Sequence, residues 1–274
     1  MADELERVRK ALRELGKSLE SLNGDSAPKN VHKLRTASRK VEAIAGVLEA
    51  ADGKKSRRLV RSIEPIRKAA GGVRDMDVLL VDARKLARYC GGESLKHLVA
   101  HLETARQQSA GELQHALHHR RKAVQQDLKE YSKFVALVAR HARSKTDVEA
   151  GSAQEEINSS ATNVLRELGD WKLLDADNLH AFRLRVKQLR YTLQLDAQAD
   201  SGLLEALGDV QRRIGDWHDW HQLAEIARQV LVLKEDRALL DRIGETARRR
   251  FDRALQAANA LRGKYLNVPL AIGA

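Results

Sequence analysis

The chain has 274 residues, enough for one large or two modest domains, each with a core of its own. Its 49 lysines and arginines against 38 acids leave a net charge of +11, which favours a polyanionic partner: nucleic acid, an anionic membrane surface or a phosphate polymer. Cys90 is the only cysteine, which excludes an internal disulfide, and no run approaches the ~18 apolar residues of a membrane-spanning helix.

Residues 3–22 place Leu5, Val8, Leu12, Leu15, Leu19 and Leu22 at helical period, an amphipathic helix. Asn23 to Pro28 breaks it, and Pro28 suits the first turn of the next helix, which runs to about Ala51. Asp52-Gly53 reads as a turn. A third helix is expected from about Ser56, with a kink or restart at Pro65 and a second irregularity at Gly71-Gly72. Gly91-Gly92 is a stop. A long helical pattern follows from Ser94 to about Arg143, with a possible interruption at Gly111. Ser144 to Ser152 is polar and divides the chain into residues 1–143, a linker at 144–152, and residues 153–274. The second part repeats the plan: one helix near 153–169, one after Asp175 and Asp177 to about Ala197, an interrupted one over 203–233 with a break at Gly215, and one from Asp236 to about Arg262. Residues 267–274 read as an irregular tail. No window alternates with period two, so the chain is expected to be all-α, with four helical segments in each half.

Two stretches carry the chemistry. From His180 to Tyr191 there is no acid, and His180, Arg183, Lys187 and Arg190 fall at offsets 0, 3, 7 and 10. Successive side chains on a helix turn by about 100°, so these four form one stripe. Leu179, Phe182, Val186, Leu189 and Leu193 form a separate apolar stripe suited to a core. The pattern occurs earlier as His32, Arg35 and Arg39 at offsets 0, 3 and 7, with Lys33 and Lys40 beside it and Leu34, Ala37, Val41, Ile44 and Leu48 as the apolar side. The two histidines lie 148 positions apart, which implies two equivalent halves. A glycine three residues before a basic-Asp pair follows each stripe: Gly71 before Arg74-Asp75, and Gly215 before His218-Asp219.

Paired stripes and paired Gly-x-x-basic-Asp segments together resemble the CHAD family, the conserved histidine α-helical domain, over about residues 3–262. The resemblance implies two four-helix bundles related by a pseudo-twofold, with a basic surface or pore between them. It implies binding of inorganic polyphosphate and association with polyphosphate granules, where other granule proteins are further partners. It assigns binding to His32, Arg35, Arg39, Lys40 and Arg74 in the first half, and to His180, Arg183, Lys187, Arg190 and Tyr191 in the second. The chain departs from the family pattern at Glu42 and Gln188, where basic residues are usual, and at His218, which replaces the arginine of the first half's segment.

A phosphate polymer has no bases to stack, so spaced cations suffice to hold it. Arginine offers forked contacts to phosphate oxygens and lysine a movable point charge. Nucleic-acid binding is the main alternative. The charge supports it, but aromatics are few, and Trp171, Trp217 and Trp220 read as packing residues rather than stacking platforms. An enzyme acting on phosphate chains is a second alternative. Neither a Walker-type glycine loop nor a carboxylate cluster for two metals occurs, and the Glu-x-Glu-x-Lys signature of the triphosphate-tunnel enzymes sometimes fused to relatives is missing. Asp75 and Asp219 read as helix caps or as partners that orient an arginine, not as catalytic acids. His97 with His101, and His115 with His118 and His119, share helix faces, but the basic run Arg120-Arg121-Lys122 and the want of a carboxylate or thiolate partner speak against a metal. The expectation is a stand-alone, non-enzymatic, cofactor-free binding module. With no apolar leader near Met1, its expected place is the cytoplasm.

Overall fold

The computed structural model describes residues 2–22, 26–47, 49–89, 92–144, 161–194, 199–232 and 234–266. Among them the secondary structure is helical without a strand, so the fold is all-α. The helices are α1 (Ala2–Glu20), α2 (Pro28–Val47), α3 (Glu49–Lys85), α4 (Glu93–Ser144), α5 (residues 161–169), α6 (Leu179–Leu193), α7 (Ser201–Val230) and α8 (Arg237–Tyr265). The expected linker at 144–152 beyond Ser144, the start of the helix expected at 153, and the expected tail lie outside the described residues.

Five expected interruptions are not there. Asp52-Gly53, Pro65 and Gly71-Gly72 all lie within the unbroken α3, Gly111 within α4 and Gly215 within α7. Packing outweighs propensity. An interior proline costs about 3 kcal/mol and a glycine about 1. Against that, α3 buries Leu59, Ile63, Ile66, Ala70 and Val73, each at most 1% exposed, and each large side chain contributes about 1.5–3 kcal/mol. The break expected at Gly91-Gly92 does occur. After a 3-10 turn at Leu86–Arg88, Gly92 takes φ of 134°, a left-handed backbone that side chains disfavour, and α4 begins at the next residue. Further on, Asp200 caps α7, its Oδ1 accepting from the Leu203 N–H at 3.0 Å.

The chain forms two compact units. The first holds residues 1–77 and 104–156, the second 78–103 and 157–274. A cut at the polar linker would assign Val78–Glu103, the tip of the α3–α4 hairpin, to the first half; compactness places it in the second unit.

In the first unit the core is built from Leu12, Leu15 and Leu19 of α1, Val31, Leu34 and Val41 of α2, Leu59, Ile63 and Ile66 of α3, and Leu113, Leu117 and Tyr131 of α4. Ion pairs give the directions. Arg58–Asp127 at 2.8 Å and Arg106–Asp77 at 2.6 Å make α3 and α4 antiparallel, and Arg35–Asp75 with Arg67–Glu42 does the same for α2 and α3. The second unit's core joins Val164 and Leu168 of α5, Leu179, Phe182, Val186 and Leu189 of α6, Leu207, Val210, Ile214 and Trp217 of α7, and Ala254, Ala258 and Leu261 of α8. The apolar stripe read on 179–193 is therefore the buried side of α6, which leaves its cationic stripe to a different face. The hairpin tip contributes the buried Leu79, Leu86, Leu95, Leu98 and Leu102, and the Arg242 guanidinium of α8 lies 4.4 Å over the Tyr89 ring.

Candidate anion-binding sites

In the second unit the α6 stripe crosses a matching row on α7: Gly208, Gln211, Gly215 and His218. Arg183 donates from Nε to the Gln211 carbonyl at 3.1 Å. A β-carbon added at Gly215 would stand 2.9 Å from Arg183 Nη2, and one at Gly208 would stand 3.5 Å from Arg190 Cζ. Gly215 thus lets the Arg183 guanidinium lie close to the α7 backbone, whereas a β-carbon at Gly208 would make only ordinary contact with Arg190. Arg190 Nη1 donates to Gln211 Oε1 at 3.3 Å. The rings of His180 and His218 are 4.2 Å apart between centroids, tilted by 37°. Lys187 stands over the Tyr191 ring at 5.8 Å. All five residues expected in this half therefore share one face of α6, and His218 joins them from α7.

In the first unit α2 lies against α3, which brings Arg67, Gly71, Arg74 and Asp75. Arg35 Nη1 donates to Asp75 Oδ1 at 2.7 Å. His32 falls below its ordinary pKa of 6.5 through the partial desolvation of its ring, and then through the charges of Arg74 and Arg35. Those three expected residues are thus near one another. Glu42 Oε1 accepts from Arg67 Nε at 2.6 Å. Burial pushes the Glu42 carboxyl up, against the pull of Arg67 and Arg39, which places Arg39 at the same end of the row. Lys40 turns the other way, to Glu14 of α1 at 3.4 Å.

The two sites correspond position by position. His32, Arg35, Arg39 and Glu42 match His180, Arg183, Lys187 and Arg190; Arg67, Gly71, Arg74 and Asp75 match Gln211, Gly215, His218 and Asp219. Sequence reasoning missed Arg67, Gly208 and Gln211. The signal was present as a shared spacing, Arg67-x-x-x-Gly71-x-x-Arg74 against Gln211-x-x-x-Gly215-x-x-His218. Asp75 and Asp219 sit in helix interiors, not at helix starts, so neither caps a helix; Asp75 holds Arg35 instead.

Trp217 and Trp220 are buried at 4% and 3% exposure and are not open to a base, while the partly buried Trp171 meets Phe182 edge-on at 5.6 Å. His115 and His119 are in ring contact at 4.3 Å, yet no group of three or more histidines, cysteines or acids among the described residues is arranged to hold a metal ion. Nor, among those residues, is any helix long and apolar enough to cross a membrane.

A family model described as the CHAD domain matches residues 6–228. No curated protein matches the sequence. Among solved structures, the crystal structure of the CHAD domain from the plant Ricinus communis aligns with a TM-score of 0.61 at 18% identity, over 95% of this chain and 86% of that one. At that identity the likeness concerns the fold.

Proposed function

This chain belongs to the CHAD domain family, and from that premise we propose that it is a non-enzymatic binder of inorganic polyphosphate, acting in the cytoplasm at polyphosphate granules. The observation that carries the reading is that Arg183 and Arg190 lie against α7, Arg183 in the space left by Gly215, with Lys187 between them on the same face of α6. Helical spacing sets such cations about one turn, roughly 5 Å, apart along one face. A flexible phosphate chain can follow that row, with forked donors gripping its oxygens. Binding is mainly electrostatic and falls steeply with salt. Other granule proteins are the further partners this role allows.

The test is a titration of long-chain polyphosphate against duplex DNA at equal charge concentration. The expected result is tighter binding of polyphosphate. Equal or better affinity for DNA would transfer the protein to the nucleic-acid binders. A phosphate-release assay with divalent metal, in which no turnover is expected, tests the non-enzymatic part.

A further inference from the structure

The two rows differ at one matched place. On α2 it holds Glu42, whose partner across the helix pair is the cation Arg67; on α6 it holds Arg190, whose partner is the neutral amide of Gln211. The first unit's cations are largely answered by carboxylates: Arg35 by Asp75, Lys40 by Glu14 and Arg67 by Glu42. Of these three the Glu42–Arg67 pair is the driest, its side chains 20% and 22% exposed, against 40% for Asp75 and 43% for Glu14. Salt screens such a pair least. Among the described residues no carboxylate pairs with Arg190.

Resting on the polyphosphate reading, we propose that Glu42 is a built-in competitor of the ligand. Carboxylate and phosphate take the same forked donors, and Glu42 occupies on Arg67 the place a phosphate oxygen would take. A phosphate chain reaching the first unit has to displace it. The second unit, with Arg190 facing an uncharged partner, is the principal grip, and the first is a weaker site whose strength Glu42 sets.

Reciprocal substitutions test this. Glu42→Gln keeps an acceptor for Arg67 but removes the competing charge; Gln211→Glu installs the same competitor against Arg190. Long-chain polyphosphate is titrated into the full-length protein and both variants at one fixed salt concentration. Glu93→Gln serves as control, the same charge change at a carboxylate whose side chain is 89% exposed. Glu42→Gln is expected to tighten binding by about threefold to tenfold and Gln211→Glu to weaken it by about tenfold, while Glu93→Gln moves it less than twofold, as a solvent-screened exposed charge does. If Glu42→Gln does no more than Glu93→Gln, the gain is bulk charge and the competitor role is overturned. If Gln211→Glu leaves affinity unchanged, Arg190 is not the main grip and the inference fails. Gln211→Glu decides the matter alone should Glu42→Gln not fold, which circular dichroism reports. A wild-type protein that does not bind polyphosphate at all sinks the functional reading, and this inference with it; a wild type that binds, with inert variants, sinks only the inference.

Discussion

Arg183 Nη2 lies 2.9 Å from the place a β-carbon on Gly215 would occupy. The arginine rests in space that any other residue at 215 would claim. Alanine is the better helix former by about 1 kcal/mol, and the displaced group is the far end of a flexible side chain. Gly215→Ala is therefore expected to hold or raise the melting temperature while weakening polyphosphate binding by about tenfold, or roughly 1.4 kcal/mol. Opposite signs in the two measurements identify a binding glycine; a fall in both would mark Gly215 as structural.

Arg183 and Arg190 reach out from a helix whose other side, Phe182, Val186 and Leu189, is fully buried. Replacing both by alanine removes two forked donors and leaves that packing alone. Affinity for polyphosphate is expected to drop by about a hundredfold, with helical content unchanged by circular dichroism. An unchanged affinity would place the site elsewhere.

His32 is held below its ordinary 6.5, first by desolvation and then by Arg74 on α3 and Arg35 on α2. The sign follows from linkage. A base with a lowered folded pKa contributes stability that is present above about pH 6.5 and is lost as pH falls through the lowered value. A bound polyanion offsets the two arginines and lets the ring take its proton. Affinity is therefore expected to rise as pH falls below about 6.5, with net proton uptake on binding measurable by calorimetry in buffers of different ionisation heat. His32→Ala should flatten part of that rise. Glu42, pushed up by burial, also gains its proton as pH falls, so the comparison belongs in the Glu42→Gln background.

Phe182 is fully buried and meets the Trp171 ring edge-on at 5.6 Å. Phe182→Ala leaves a cavity in the second unit's core and is expected to cost about 3–5 kcal/mol. Denaturant unfolding should show a transition displaced to lower concentration. A loss under about 1 kcal/mol would mean that the site collapses around the smaller side chain.

Helical identity was legible because the apolar residues keep a 3.6-residue period over long stretches. Val8, Leu12, Leu15 and Leu19 in α1, and Leu179, Phe182, Val186 and Leu189 in α6, are buried as their spacing implies. The breaks were less legible. Gly92 stops a helix, whereas Gly71, Gly111 and Gly215 do not, because the cost of a glycine is small beside the packing on either side of it. The cationic rows on α2 and α6 could be read from one helix at a time. Their partners could not. Arg67 and Gln211 join a row only through the pairing of α2 with α3 and of α6 with α7, and the register of such a pair depends on side chains from both helices. Lys40 shows the converse: it stands beside the row in sequence, but a carboxylate on α1 draws it aside.

The hairpin tip Val78–Glu103 has a practical consequence for anyone dividing this protein. A gene cut at the polar segment near 144–152 would give a C-terminal fragment that lacks Tyr89, the ring under Arg242, and the leucines at 79, 86, 95, 98 and 102. That fragment would be short of part of its own unit, and the N-terminal one would carry those leucines with nothing of the later chain to close over them. Expression of the halves apart is therefore expected to yield insoluble material. A permuted gene that keeps the hairpin with the later helices is the way to obtain the second unit by itself.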